Sequence, residues 1–290
     1  MLVETLKVEE NLGVVDAIRS WPWVAGFKAV RCSSEGCSRW LTRRHLAARK
    51  VGVSMAGKWY CGYACFARVA AERLSMLMEK DVRPRNDGSR TPLGLILIQR
   101  GWMTHEQLKQ AVRERDGSAE EIGATLVRLG FVTEKQLIAA RSVQWGCPVF
   151  TPARQPALAV QVPVALMRLH AMTPLHYVAA TNSLLIGFVY GVEYGVLYAI
   201  EEVTGCKTQA CLITQSDFEA RMRGYETGEG VASEDVMFEE FQPAAKMAQL
   251  LCSYGRVVNA GEIVIGRCRD YLWARMTFDG VTNDILFRAV

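Results

Sequence analysis

The chain has 290 residues, half of them apolar and 22% charged, which suits globular domains with buried cores and excludes a low-complexity polymer. A net charge of +4 does not by itself dictate a nucleic-acid partner, and no apolar run reaches the roughly 18 residues of a membrane helix. Nine cysteines, an odd number, argue against a fully disulfide-bonded secreted scaffold, and the start Met1-Leu2-Val3-Glu4-Thr5 lacks signal-peptide character, so a cytoplasmic location is expected.

Polar stretches at Arg83–Ser89 and Glu226–Gly230 carry Gly or Pro and no apolar period, so they read as linkers. They predict an N-terminal module over 1–82, a middle domain over 89–225 and a small C-terminal piece over 236–290.

In the first module, residues 28 to 58 carry Lys28, Arg31, Arg39, Arg43, Arg44, Arg49, Lys50 and Lys58 against one acid, Glu35. Such a block is a solvated face or a contact for an anionic partner. Within it Cys32-x4-Cys37 precedes Cys61-x3-Cys65, and two close thiol pairs suit tetrahedral Zn2+ because four thiolates close its coordination shell. Phe66, Val69, Ala70, Leu74 and Leu77 then recur at helical spacing, so the second pair stands at a helix entrance, as in treble-clef-like fingers. A closed, structural zinc site on Cys32, Cys37, Cys61 and Cys65 is expected, with Trp40 and Trp59 on its basic surface; His45 reads as a solvated residue. Cys147, Cys206, Cys211, Cys252 and Cys268 lie in apolar segments and read as small buried hydrophobes.

The middle domain opens with two copies of one pattern, 29 residues apart: Leu93 to Leu108 and Ile122 to Leu137. Each copy predicts a short helix stopped by a left-handed glycine, Gly101 or Gly130, and then a capping box, Thr104 to Gln107 or Thr133 to Gln136, that starts a second helix. Leu175–Ala180 and Leu184–Val189 read as strands about a Thr181-Asn182-Ser183 turn. A helix from about Val192 to Gly205, a strand over Lys207–Ile213 and a helix capped by Thr214 follow. The C-terminal piece reads as a helix with Ala245, Ala248, Leu250 and Leu251 inward, then strands at Glu262–Arg267, Tyr271–Phe278 and Asp284–Phe287, the last two joined at Asp279-Gly280. The fold class is therefore α+β. A tandem helix-turn-helix repeat leads into a small α/β sandwich subdomain, flanked by the treble-clef-like zinc module and a C-terminal helix with a three-stranded antiparallel piece.

The stretch from about Thr91 to Tyr225, a little under half of the chain, resembles the N-terminal, MshEN-type domain of type II secretion and type IV pilus assembly ATPases. The likeness rests on the Leu-Gly and Gly-apolar-apolar steps of both copies and on Cys147-Pro148-Val149-Phe150, Thr173-Pro174-Leu175 and Val203-Thr204-Gly205 downstream. It implies a domain able to bind cyclic di-GMP through the two repeats. The positions that carry over are Leu93, Gly94, Leu97, Gly101 and Leu108, then Ile122, Gly123, Leu126, Gly130, Leu137 and Gln144. The family's leading arginines do not: Pro92 and Glu121 stand in their places, and Arg115 replaces the glutamine that closes the first copy.

No Gly-x4-Gly-Lys-Ser/Thr loop cradles a nucleotide phosphate, and His105, His170 and His176 stand singly, so no enzyme is expected. The leading expectation is a non-catalytic regulatory or adaptor protein of a secretion or pilus system that binds a partner protein through the middle domain. A cyclic di-GMP receptor is the alternative, and a zinc-dependent nucleic-acid-binding regulator is a third reading.

Overall fold

The computed structural model describes residues 29–42, 52–79, 90–115, 120–150, 160–226 and 235–289. Lys28, Arg43, Arg44, His45, Arg49 and Lys50 of the basic block, the linker Arg83–Ser89, and residues 227–230 of the second linker lie outside them.

Helices and sheets are mixed along the chain. Strands β1 (Ala29–Arg31), β2 (Trp40–Thr42), β3 (Val53–Met55) and β4 (Lys58–Tyr60) precede helix α1 (Tyr63–Glu79). Four helices follow: α2 (Leu93–Gln99), α3 (His105–Arg115), α4 (Ile122–Arg128) and α5 (Glu134–Trp145). Then come α6 (Val164–Leu169), β5 (Met172–Val178), β6 (Ser183–Phe188), α7 (Tyr194–Thr204), β7 (Lys207–Leu212) and α8 (Gln215–Glu226). The chain ends with β8 (Asp235–Phe238), α9 (Ala244–Val257), β9 (Glu262–Cys268), β10 (Tyr271–Phe278) and β11 (Val281–Arg288). Two compact units emerge: residues 1–75, 243–264 and 276–281 form the first, and 76–242, 265–275 and 282–290 the second.

In the first unit, β3 and β4 turn at Ala56 and Gly57, both at positive φ (50° and 74°), the backbone of a two-residue hairpin whose twist matches its strands. The helix expected near the C-terminus packs within this unit. The Tyr63 ring lies where a Cβ on Gly255 would stand 2.8 Å away, and its hydroxyl donates to the Ala260 carbonyl at 3.2 Å. Ser54 N–H donates to the Gly261 carbonyl at 2.9 Å, setting the parallel register Ser54↔Glu262.

In the second unit the repeat forms its own core around Leu97, Leu126, Ala111 and Ala140, all at most 1% exposed. A three-stranded sheet of order β5-β6-β7 carries the larger core. Its β6–β7 pair is parallel, so α7 is the required crossover, and Gly205 at φ 72° ends that helix where expected.

Helix α6 and strands β1 to β4 have no counterpart in the sequence reading, and three further stretches differ from it. β5 begins at Met172, three residues before Leu175. The stretch after Glu226, where Glu229, Glu234, Asp235, Glu239 and Glu240 have no base among them, holds strand β8, whose Asp235 carboxylate accepts from Val164 N–H at 2.6 Å and whose ladder runs parallel to β11. Strands β9 to β11 do not stand as a three-stranded piece but lie in a six-stranded sheet of order β4-β3-β9-β10-β11-β8. Each of these three differences depends on a partner far along the chain, which local periodicity does not register.

A buried ionic network anchors β10 to β11. Asp284, fully buried, accepts from Trp273 Nε1 at 2.7 Å and from Arg275 Nε and Nη2 at 2.9 and 2.7 Å, and Nη2 also reaches the Gln161 carbonyl at 2.7 Å. Removing one member strands the other charge without water. Asp284→Ala should therefore lower unfolding free energy by about 3–5 kcal/mol in chemical denaturation.

Candidate functional site

The four predicted thiols converge. Cys32 ends the β1 arm, Cys37 closes the loop before β2, Cys61 follows β4, and Cys65 lies in the first turn of α1. Their sulfur atoms all lie within 4.8 Å of one another. Cys37 and Cys61 sulfurs are 3.7 Å apart, and Cys61 and Cys65 sulfurs 3.6 Å. A tetrahedral metal with about 2.3 Å metal–sulfur bonds has a sulfur–sulfur edge of about 3.8 Å, so these pairs already stand at ligand spacing. The local backbone explains the approach. Cys32 N–H donates to the Arg39 carbonyl (2.8 Å), Ser33 N–H to the Trp59 carbonyl (2.9 Å), and Cys65 N–H to the Gly62 carbonyl (3.1 Å), folding both thiol pairs toward one point.

The four sulfurs are not joined in disulfides, and their titration is uneven. A hydrogen bond from the Arg39 backbone draws Cys37 down to about 7, whereas burial and the neighbouring sulfurs push Cys61 up to about 12. Four mutually repelling thiolates need a cation among them, and an all-sulfur donor set suits a soft or borderline metal. The residues fit a metal ion.

The repeat residues divide into three kinds. Leu93, Leu97, Leu126 and Leu137 are buried in the repeat core, and Leu108 and Ile122 pack against it. Gly101 and Gly130 both take φ 70°. After each, the next N–H closes a Schellman turn, Trp102 to the Leu97 carbonyl at 3.0 Å and Phe131 to the Leu126 carbonyl at 3.1 Å. Both capping boxes form with equal geometry. Gln107 Oε1 accepts from Thr104 N–H at 2.8 Å and Thr104 Oγ1 from Gln107 N–H at 3.2 Å, and Gln136 with Thr133 repeats both distances.

Gly94 and Gly123 allow close approach. A Cβ on Gly94 would stand 2.8 Å from Leu108 Cδ2. On Gly123 it would meet Arg141 Nη2, Glu121 Oε2 and Leu137 Cδ1 at 2.6, 2.7 and 2.9 Å. Here the copies diverge. Arg141, at the position matched by Val112 in the first copy, is 4% exposed. It donates Nη1 to the Val189 carbonyl at 2.9 Å and Nη2 to Glu121 Oε2 at 2.5 Å. The same Glu121 oxygen accepts from Ala124 N–H at 3.2 Å and so caps α4. A carboxylate of the chain itself thus occupies a seat built from a guanidinium and a backbone N–H. Sequence reasoning missed Arg141; its one signal is a charge at a repeat position that is apolar in the other copy.

An open groove of about 460 Å³ between α2 of the first copy and α5 of the second is lined by Thr91, Ile96, Gln99, Arg100, Val143 and Gln144. Gln144 Nε2 donates to the Thr91 carbonyl at 2.9 Å, and Arg90 lies 3.5 Å above the Trp145 ring. A second groove, about 340 Å³, contains Arg128, Arg141, Glu134, Tyr190, Ser216 and Glu219.

His170 sits between a carboxylate and a thiol. Its Nδ1 is 3.3 Å from Glu193 Oε2, and its Nε2 is 3.9 Å from Cys268 Sγ. The His170 hydrogen bond, with Arg269 beside it, holds the Glu193 carboxyl below its ordinary range. Cys268 is fully buried, and burial pushes its thiol up to about 12, so at neutral pH it offers neither a thiolate nor access.

No protein-family model and no curated protein matches the chain. Among solved structures it is similar to the structure of MshE with cdg, at 21% identity over 47% of this chain and 99% of that one, TM-score 0.39. It is also similar to the N-terminal domain of XpsE, at 17% identity over 49% of this chain and 97% of that one, TM-score 0.38.

The two glycines give unequal expectations. Gly123→Ala should cost about 1–3 kcal/mol, because Arg141 is pinned to Val189 and cannot retreat. Gly94→Ala should cost less, since the Leu108 tip can rotate and alanine gains roughly 1 kcal/mol of helix propensity. Urea denaturation of the two variants checks the order.

Proposed function

We propose that the chain is a non-catalytic regulatory or adaptor protein related to type II secretion and type IV pilus systems, whose repeat domain is a scaffold for a partner protein. The observation that carries this reading is the Glu121–Arg141 pair, which fills from within the chain the seat where the second repeat would receive an anionic ligand. A phosphate approaching Glu121 meets a like charge rather than the expected cation, a difference of about 1–3 kcal/mol at short range. In the first copy Pro92 supplies no cation either. The buried leucines of both copies serve packing, not contact.

The Cys32, Cys37, Cys61 and Cys65 cluster is a structural Zn2+ site on this reading. Four thiolates complete the shell, so no position is open for water or substrate, and the ion's contribution is to fold the module. Among the described residues, the one thiol beside a histidine, Cys268, is sealed from solvent, which favours a binding protein over an enzyme.

The second reading, a cyclic di-GMP receptor, is favoured by the open groove between α2 and α5 with Arg100 and Gln144 on its rim. Isothermal calorimetry at micromolar protein separates the two: no heat with cyclic di-GMP is expected, and a saturable one-to-one titration overturns the scaffold reading. Zinc analysis of the purified protein should give one ion per chain. Cys61→Ser should lose it and lower the melting temperature, whereas a metal-free wild type of unchanged stability defeats the zinc assignment.

A further inference from the structure

The β1–β2 hairpin presents a surface that packing does not explain. The strands pair antiparallel with Arg31 opposite Trp40 and Val30 opposite Leu41. Side chains alternate along a strand, so Arg31 and Trp40 share one face while Val30 and Leu41, both half-buried, share the other. Trp40 is 64% exposed, although every other tryptophan among the described residues is half-buried or buried. Arg31 is exposed opposite it, Arg39 is exposed next to it along the chain, and β4, which packs next to β1, adds exposed Lys58. Among the described residues, no carboxylate is recorded within ion-pair distance of these three cations. The one acid in residues 28 to 58 is Glu35, against eight bases.

We propose that this hairpin docks single-stranded nucleic acid, with the Trp40 indole stacking on an unpaired base and Arg31, Arg39 and Lys58 meeting the flanking phosphates. Two features select this occupant. An exposed flat ring on a small hairpin that also carries exposed cations complements a ligand that joins planar apolar faces to regularly spaced anions, which describes a polynucleotide strand. A duplex hides its base faces in the stack, and a hairpin of two three-residue strands offers no helix to enter a groove. An acidic peptide would satisfy the cations but leave the indole face without a planar partner. The proposal is independent of what the repeat domain binds.

The test uses the full chain and a fluorescein-labelled fifteen-nucleotide oligo(dT) (length about 15) in anisotropy titrations at low and moderate salt. Saturable binding is expected, with log affinity falling against log salt at a slope of about −2 for three phosphate contacts. Trp40→Ala should weaken binding roughly tenfold or more, as loss of one base stack does, while Trp40→Phe should keep most of it. Because the side chain is exposed, both variants should retain the wild-type melting temperature. Absence of binding at low salt overturns the proposal. So does an unchanged affinity in Trp40→Ala, equal competition by a duplex of the same length, or displacement by polyglutamate as effective as by unlabelled oligo(dT), the last pointing to an acidic protein instead.

Discussion

Helices of seven residues cannot stand by themselves, and the repeat domain is organised around that constraint. α2 and α4 each span seven residues, well below the length at which propagation repays nucleation. Each therefore needs a fixed stop, a fixed restart and a neighbour to cover its apolar side. The stop is the Schellman turn at Gly101 or Gly130; the restart is the capping box at Thr104 or Thr133. The neighbour comes from the other copy: α2 packs chiefly on α5, and α3 on α4. Neither copy is a unit by itself, so one core holds residues of both.

That exchange of partners gives a charge in one copy consequences for the whole domain. Arg141 stands on α5, yet its guanidinium ties Glu121 at the start of α4 to the Val189 carbonyl beyond β6. Gly123 leaves the room for this, since any Cβ would collide with both charged groups. In the first copy the same space is closed by the apolar tip of Leu108. Two segments with the same turn chemistry have thus acquired different interiors, one hydrocarbon and one ionic. The difference bears on ligand choice because a carboxylate already held beside the buried guanidinium satisfies it more completely than a diffusing anion, which must first lose its water.

What was legible in the sequence is what is decided within a few residues. The left-handed glycines, the capping boxes, the Gly205 stop and the Asp279-Gly280 turn, both at positive φ, are chemically local and could be read from single side chains. The thiol spacing was legible for a related reason: soft donors in two close pairs have few other uses. What escaped depends on distant partners. β8 is a short strand inside an acidic run, formed because β11 offers it a parallel ladder. The placement of α9 beside Tyr63, nearly two hundred residues earlier, follows from Gly255 admitting the ring. Arg141 looks like a surface helix residue until Glu121 and the Val189 carbonyl are brought to it.

The chain then combines two elements whose polar centres are satisfied from within, and this restricts where recognition can occur. An ion held by all four thiols would have no open coordination site, and a carboxylate already seated on Arg141 leaves little for an incoming anion. Binding energy must come from what the folded chain leaves exposed: the cationic hairpin with its outward indole, and the groove between α2 and α5. The first is held by backbone hydrogen bonds from Cys32 N–H to the Arg39 carbonyl and from Ser33 N–H to the Trp59 carbonyl, and the second by tightly packed short helices, so both surfaces are presented by preorganised frames. A partner that meets either surface has little ordering to supply, so less of its binding energy is lost to fixing loops and side chains.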